Sequence, residues 1–384
     1  MVLKIIFIIA LALFSVATAF CAGPKELTFM VYKNAKNDLW EFAGKDMAEL
    51  RAAGSDAAVN VVTEVGRMKD GGDWSGVRRY YVERSPADAP DTAGLVWEAP
   101  FADMGDWRHL ADFIKWAKAN YPARRYALVV WNHGNGWKKG LPGGPSGRAI
   151  SFDDETGNYI TTPQLAAALK EAGPVDVLAF DACLMQTVEV AYEVKDYAAV
   201  VVGSEETEPG EGYPYDMVLN ALKAAPSVSP EEIGAVIVRE YQKANAAAYM
   251  NTTQSAVRTA ALPTLLELLG EWTAEAAGAQ PMALKYAASR AQAFYDFDQK
   301  DLYDYMRVVA GLDVPEDLRA RSRRVMSHLE EQVIVANGVT GYQHRNARGL
   351  AVYLPQRYAY SADYGALAWS REGHWDEFIS GAPR

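Results

Sequence analysis

Two cysteines in 384 residues, Cys21 and Cys183, are too few for a disulfide framework. The first lies at the end of the N-terminal apolar segment, which leaves Cys183 alone. Such a lone sulfur is either a buried small hydrophobe or a reactive thiol, and in an exported chain it carries an oxidation liability. No phosphate-binding glycine motif occurs, and no His/Cys cluster has zinc spacing. Positive charge is in deficit, with 38 Lys and Arg against 49 Asp and Glu and a net charge of −11. That balance argues against a nucleic-acid surface and suits a soluble protein, or one drawn to basic substrates. Past the N-terminus no apolar run approaches the roughly 18 to 20 residues that a membrane-crossing helix needs.

The chain opens on "MVLKIIFIIALALFSVATAFCAG": one early cation, Lys4, an apolar core, then small residues around Ala17 to Ala19. This reads as a signal peptide over residues 1–22, so export to the periplasm or medium is expected. Lipid attachment at Cys21 is the alternative, disfavoured because Phe20 is not small.

Short β-rich runs, "LTFMVY", "VNVVTEV", "RRYYVE", "YALVVW", "VDVLAF" and "AAVVVGS", alternate with amphipathic segments near 38–53, 107–119, 162–172 and 185–195. That β-α-β pattern predicts an α/β domain with a mostly parallel sheet over residues 23–227. Residues 228–346 turn to Ala, Leu, Glu and Arg at helical spacing and are expected to be mainly helical. Residues 347–384 begin with "ARGLAVYLP", a strand expected to return to the sheet. The Gly/Pro-rich stretch 135–148 reads as an exposed loop.

His133 follows one strand in "WNHGNGW" and Cys183 follows another in "DACLM". Both therefore sit at carboxyl ends of strands, the edge where sites assemble in open parallel sheets. A cysteine at the start of a helix is expected to gain thiolate character from the N-terminal amides. The pair suits acyl transfer: sulfur attacks a carbonyl, and imidazole protonates the leaving amine. Their separation of 50 residues matches the spacing of caspase-type sites. His109, His328, His344 and His374 read as structural or surface residues.

"WNHGNGW", "FDACLMQTVEVAYE", "GSEETEPGEGYPYD", "DLYDY" and "RGLAVYLP" together resemble the clostripain family of cysteine peptidases, in the caspase-like clan. The resemblance implies an αβα caspase-like sandwich, a dyad of His133 and Cys183, and cleavage after Arg or Lys. It also implies an oxyanion held by the backbone N–H groups of Gly134 and Cys183.

Asp181, two residues before Cys183, faces the same side if the strand persists. The family's acidic residue at this position binds the basic side chain, so Asp181 is the expected pocket acid; capping the next helix is the other reading. Glu205, Glu206, Glu208, Glu211 and Asp216 follow the next strand, and Glu205 and Glu211 are taken as candidates for a second pocket carboxylate. Lys138, Lys139 and Arg148 lie in the exposed loop between His and Cys, and Arg148–Ala149 is the expected bond for self-cleavage. No cofactor is required by this chemistry. Asp153, Asp154 and Glu155 could touch Ca²⁺ but lack the spacing of an EF-hand loop. The expected partners are peptides or proteins with Arg or Lys before the scissile bond, and the enzyme is expected to act as a monomer. A peptide-binding protein without turnover and a self-processing transpeptidase remain alternatives.

Overall fold

A computed structural model describes residues 23–69, 73–86, 88–138, 150–277, 279 and 281–381. The segment read as a signal peptide, Cys21, Lys139 and the Arg148–Ala149 bond lie outside the described residues.

The strands up to Gly203 are β1 (Lys25–Ala35), β2 (Val59–Arg67), β3 (Gly76–Tyr81), β4 (Leu95–Ala99), β5 (Ala123–Trp131), the short hairpin β6 (Ile150–Asp153) and β7 (Asn158–Ile160), β8 (Val175–Asp181) and β9 (Ala198–Gly203). Between and after them come helices α1 (Trp40–Ala53), α2 (Trp107–Asn120), α3 (Thr162–Ala172), α4 (Val188–Glu193), α5 (Tyr215–Ala224) and α6 (Pro230–Ala247). The remainder supplies β10 (Thr252–Arg258), α7 (Leu262–Ala276), α8 (Pro281–Arg290), β11 (Gln299–Asp301), α9 (Leu302–Ala310), α10 (Glu316–His328), β12 (Ile334–Thr340) and β13 (Ala351–Tyr353), with short helices near the end.

Nine strands form the central sheet in the order β12-β10-β9-β8-β5-β1-β2-β3-β4. Its centre, β9-β8-β5-β1-β2, is parallel, and the strands added at each margin pair antiparallel. The central strands are buried on both faces, which is why they read as continuous Val/Ile/Leu runs rather than alternating ones. In β1, Met30 and Tyr32 join the core under α2, α3, α4 and α7, whereas Phe29 and Val31 join the core under α1, α5 and α6. The result is the αβα sandwich expected from the sequence, with a helix-rich C-terminal part.

Two points depart from expectation. The helix-rich region contributes β10 and β12, which extend the sheet beyond β9. These strands, "TTQSAVR" and "IVANGVT", are weak as sequence signals because much of the buried polarity in β10 is paired sideways: Thr252 meets Thr340, and Thr253 meets Ser204. The strand expected to rejoin the sheet does not. β13 pairs antiparallel with β11 in a separate two-stranded sheet, because Leu350 and Leu354 bond to Leu302 and Asp298 and turn the segment toward α9.

Candidate active site

The chain runs from β1 to β2 on one side and returns to β5 on the other, so the strand order reverses between β1 and β5. Loops after β1, β5, β8 and β9 diverge there, leaving the crevice in which α/β proteins place their sites. The last register pair of β5 and β8 is Trp131 opposite Asp181, and the Asn132 N–H donates to the Asp181 carbonyl at 3.3 Å. His133 and Cys183 each stand two residues beyond that pair and leave the sheet side by side. Gly134 then passes so near the second loop that a Cβ would lie 2.5 Å from the Cys183 carbonyl oxygen. Only glycine fits there.

Cys183 is not at a helix start. It sits in a turn whose next residue, Leu184, has a left-handed φ of 63°, and α4 begins only at Val188. The expected helix-dipole activation is therefore absent. Burial pushes the thiol above its ordinary value, opposed by the Glu208 N–H, which donates to Sγ at 3.3 Å. His133 is about half exposed, and its Nε2 lies 2.6 Å from Oδ1 of Asp38 in the loop after β1. The sequence reading missed Asp38, since only the β1–β5 pairing brings it to this edge.

Behind the thiol lies a cluster of acidic side chains, Asp46, Asp181 and Glu208. Asp181 takes a hydrogen bond from the Tyr215 hydroxyl at 2.7 Å and from the Tyr213 N–H at 3.2 Å. Burial, and next the charge of Asp46, push its carboxyl up to about 7, although Lys33 opposes this. Lys33 is itself fully buried in an ion pair with Asp46 at 3.0 Å. Glu208 is partly buried with its Oε2 enclosed, and its carboxyl is raised well above the usual range by burial first and by the Asp181 charge second. Among the described residues no donor reaches Glu208 Oε2, and Gln254 Oε1 and the Tyr241 hydroxyl are likewise buried without a partner.

The other expected pocket acids lie elsewhere. Glu205 turns inward, accepting from the Gly349 N–H at 3.1 Å and meeting the Asp301 carboxyl, so it ties the loop after β9 to the start of α9. Glu206 accepts from the N–H groups of Thr207 and Tyr295. Glu211 is exposed at the loop tip. Glu208 was in the same acidic run, and only the contact of its backbone with Cys183 singles it out. The residues considered for Ca²⁺ are held in the β6–β7 hairpin: Asp153 accepts from Met104, Glu155 and Thr156, and Glu155 pairs with Lys36 at 2.6 Å.

The clostripain family profile matches residues 31–381, nearly the whole chain. The chain belongs to the clostripain family of cysteine peptidases. It is 31% identical to clostripain from Hathewaya histolytica over 234 residues, 54% of this chain and 44% of that protein, so the match spans less than half of that relative. A secreted C11 cysteine protease from Bacteroides thetaiotaomicron, solved with an irreversible peptide inhibitor, superposes with a TM-score of 0.67 at 20% identity, covering 91% of this chain and 99% of that one. An inactive zymogen C11 protease from Parabacteroides distasonis gives 0.67 at 18% identity, over 92% and 98% of the two chains. At such identities these two likenesses speak for the fold. No helix among the described residues is long and apolar enough to cross a membrane.

Proposed function

We propose that this clostripain-family chain is an exported endopeptidase that hydrolyses peptide bonds after Arg or Lys, with Cys183 as nucleophile and His133 as general acid and base. The observation that supports the specificity is the pair of interacting carboxyls, Asp181 and Glu208, enclosed beside the thiol. A guanidinium or ammonium entering there would pair with both carboxyls and favour their ionised form. Glu208, rather than Glu205 or Glu211, is the second pocket acid in this reading.

His133 takes the thiol proton as Sγ attacks the carbonyl carbon, and the carbonyl electron pair moves to oxygen. The backbone N–H groups of Gly134 and Cys183 stabilise that oxyanion. Collapse breaks the C–N bond, His133 gives its proton to the leaving amine, and a thioester to Cys183 remains. Water, deprotonated by His133, then releases the new carboxyl end and restores the thiol.

Self-cleavage at Arg148–Ala149 follows from the same specificity. His133 and Cys183 would then lie on separate fragments, held together by the β5–β8 pairing. Export rests on the N-terminal segment. Turnover is proposed to need no cofactor, and added EGTA should leave it unchanged. Fluorogenic peptides ending in Arg, Lys, Asp or Leu test the proposal against a Cys183→Ala control. Turnover of the basic pair by wild type alone supports it, and equal turnover of all four, or of none, refutes it.

A further inference from the structure

We propose that Asp38 is the positioning residue for His133, holding the imidazole in the Nε2–H tautomer so that Nδ1 carries the proton exchanged with Cys183 and the leaving amine. The inference rests on the dyad assigned above for its catalytic consequence, though not for its spectroscopic one.

The contact is a carboxylate oxygen 2.6 Å from Nε2, and its two side chains are well exposed, 80% for Asp38 and 44% for His133. An exposed ion pair alone stabilises little. What distinguishes this one is the platform below it. Asn37, directly before Asp38, donates from Nδ2 to the Phe152 carbonyl at 2.9 Å. Asn132, directly before His133, accepts from the Phe152 N–H at 2.7 Å and donates from Nδ2 to the Asn34 carbonyl at 2.6 Å. Asn37 Oδ1 also takes the Leu39 N–H at 3.0 Å, and Asn34 Oδ1 takes the Lys36 N–H at 3.1 Å. All three asparagines are buried. The backbone of one residue, Phe152, thus clamps the residues that precede both Asp38 and His133, and the two loops cannot drift apart without breaking buried amide hydrogen bonds.

A carboxylate can only accept, so a neutral imidazole facing Asp38 through Nε2 must donate there. Its lone pair is then on Nδ1. This division of labour between the two ring nitrogens is the usual way a carboxylate supports a histidine base. Loss of the carboxylate leaves the ring free to flip or change tautomer, which lowers the fraction competent for proton transfer while leaving the acidic cluster intact.

The experiment combines ¹⁵N-histidine labelling with kinetics on Asp38→Asn and Asp38→Glu. There are only five histidines, so His133→Gln identifies the signal. At alkaline pH, wild type should show His133 as the Nε2–H form, and Asp38→Asn should show a mixture. With an Arg peptide, Asp38→Asn should lower kcat about tenfold to a hundredfold, up to the lower end of a full general-base contribution because the base itself stays in place, and leave KM within about twofold. Asp38→Glu should restore part of kcat, with melting temperatures alike across the set. If Asp38→Asn keeps the wild-type tautomer signal, the proposal is wrong. Wild type that cleaves no peptide would sink the dyad reading instead, and the tautomer comparison would still decide the role of Asp38.

Discussion

The Tyr215 hydroxyl donates to Asp181 Oδ2 at 2.7 Å, two residues upstream of Cys183. This bond, together with the Tyr213 N–H, fixes the carboxyl close to the thiol. Burial pushes that carboxyl up to about 7.

A pH dependence of substrate capture follows. A cation binds the ionised acid, and the acid's native value is raised, so KM for an Arg peptide should fall as pH rises through about 7 and climb below it. Asp181→Asn should flatten that dependence and raise KM about thirtyfold or more, the cost of leaving a desolvated cation without its partner. Steady-state kinetics from pH 5 to 9 check it; these limits are only about two units either side of the Asp181 value.

Glu208→Gln should loosen selectivity more than it harms the chemistry. The kcat/KM ratio of an Arg peptide over a Leu peptide should drop about tenfold, while labelling of Cys183 by uncharged iodoacetamide stays near wild type. Equal selectivity in the variant would remove Glu208 from the pocket.

Gly134→Ala places a methyl 2.5 Å from the Cys183 carbonyl oxygen and 3.0 Å from Met185. The loops after β5 and β8 must separate to admit it, at a cost of about 1 to 3 kcal/mol. Activity should fall at least a hundredfold with the melting temperature lowered by only a few degrees. A variant as active as wild type would show that this close approach is not needed.

Glu205 and Asp301 give a stability signature. Burial pushes Asp301 up to about 6, and Glu205 is raised well above its ordinary value by burial and then by the Asp301 charge. Acids raised in the native state bind protons more tightly folded than unfolded, so stability falls as pH rises through the native values. The melting temperature should therefore decline as pH rises from about 4, the unfolded carboxyl range, through the Asp301 value of about 6, and Asp301→Asn should make the decline shallower. A slope unchanged in the variant would mean that the two carboxyls do not share a proton.

Much of this site is visible in the sequence because His133 and Cys183 follow long apolar strands whose ends are sharp. Helices α1 to α3 were equally visible through their periodicity. Asp38 was hidden because its role depends on β1 lying beside β5, a long-range pairing with no local mark. β10 was hidden because Thr252, Thr253, Gln254 and Ser255 are polar and become buried only through hydrogen bonds to other elements. The run "GSEETEPGEG" announced acids without ranking them, since Glu205 and Glu208 differ only in what the folded loop turns them toward. The delayed start of α4 depends on Leu184 adopting a left-handed backbone, which a leucine does not advertise.

The central claim is that Cys183 attacks substrates whose basic side chain pairs with Asp181 and Glu208. The most direct measurement is mass spectrometry, with peptide mapping, of wild type treated with one equivalent of an Arg-terminated or a Leu-terminated peptidyl chloromethyl ketone. The account predicts a single adduct on Cys183 from the Arg reagent, little from the Leu reagent, and loss of the distinction in Asp181→Asn. Equal labelling by both reagents, or an adduct away from Cys183, would contradict it.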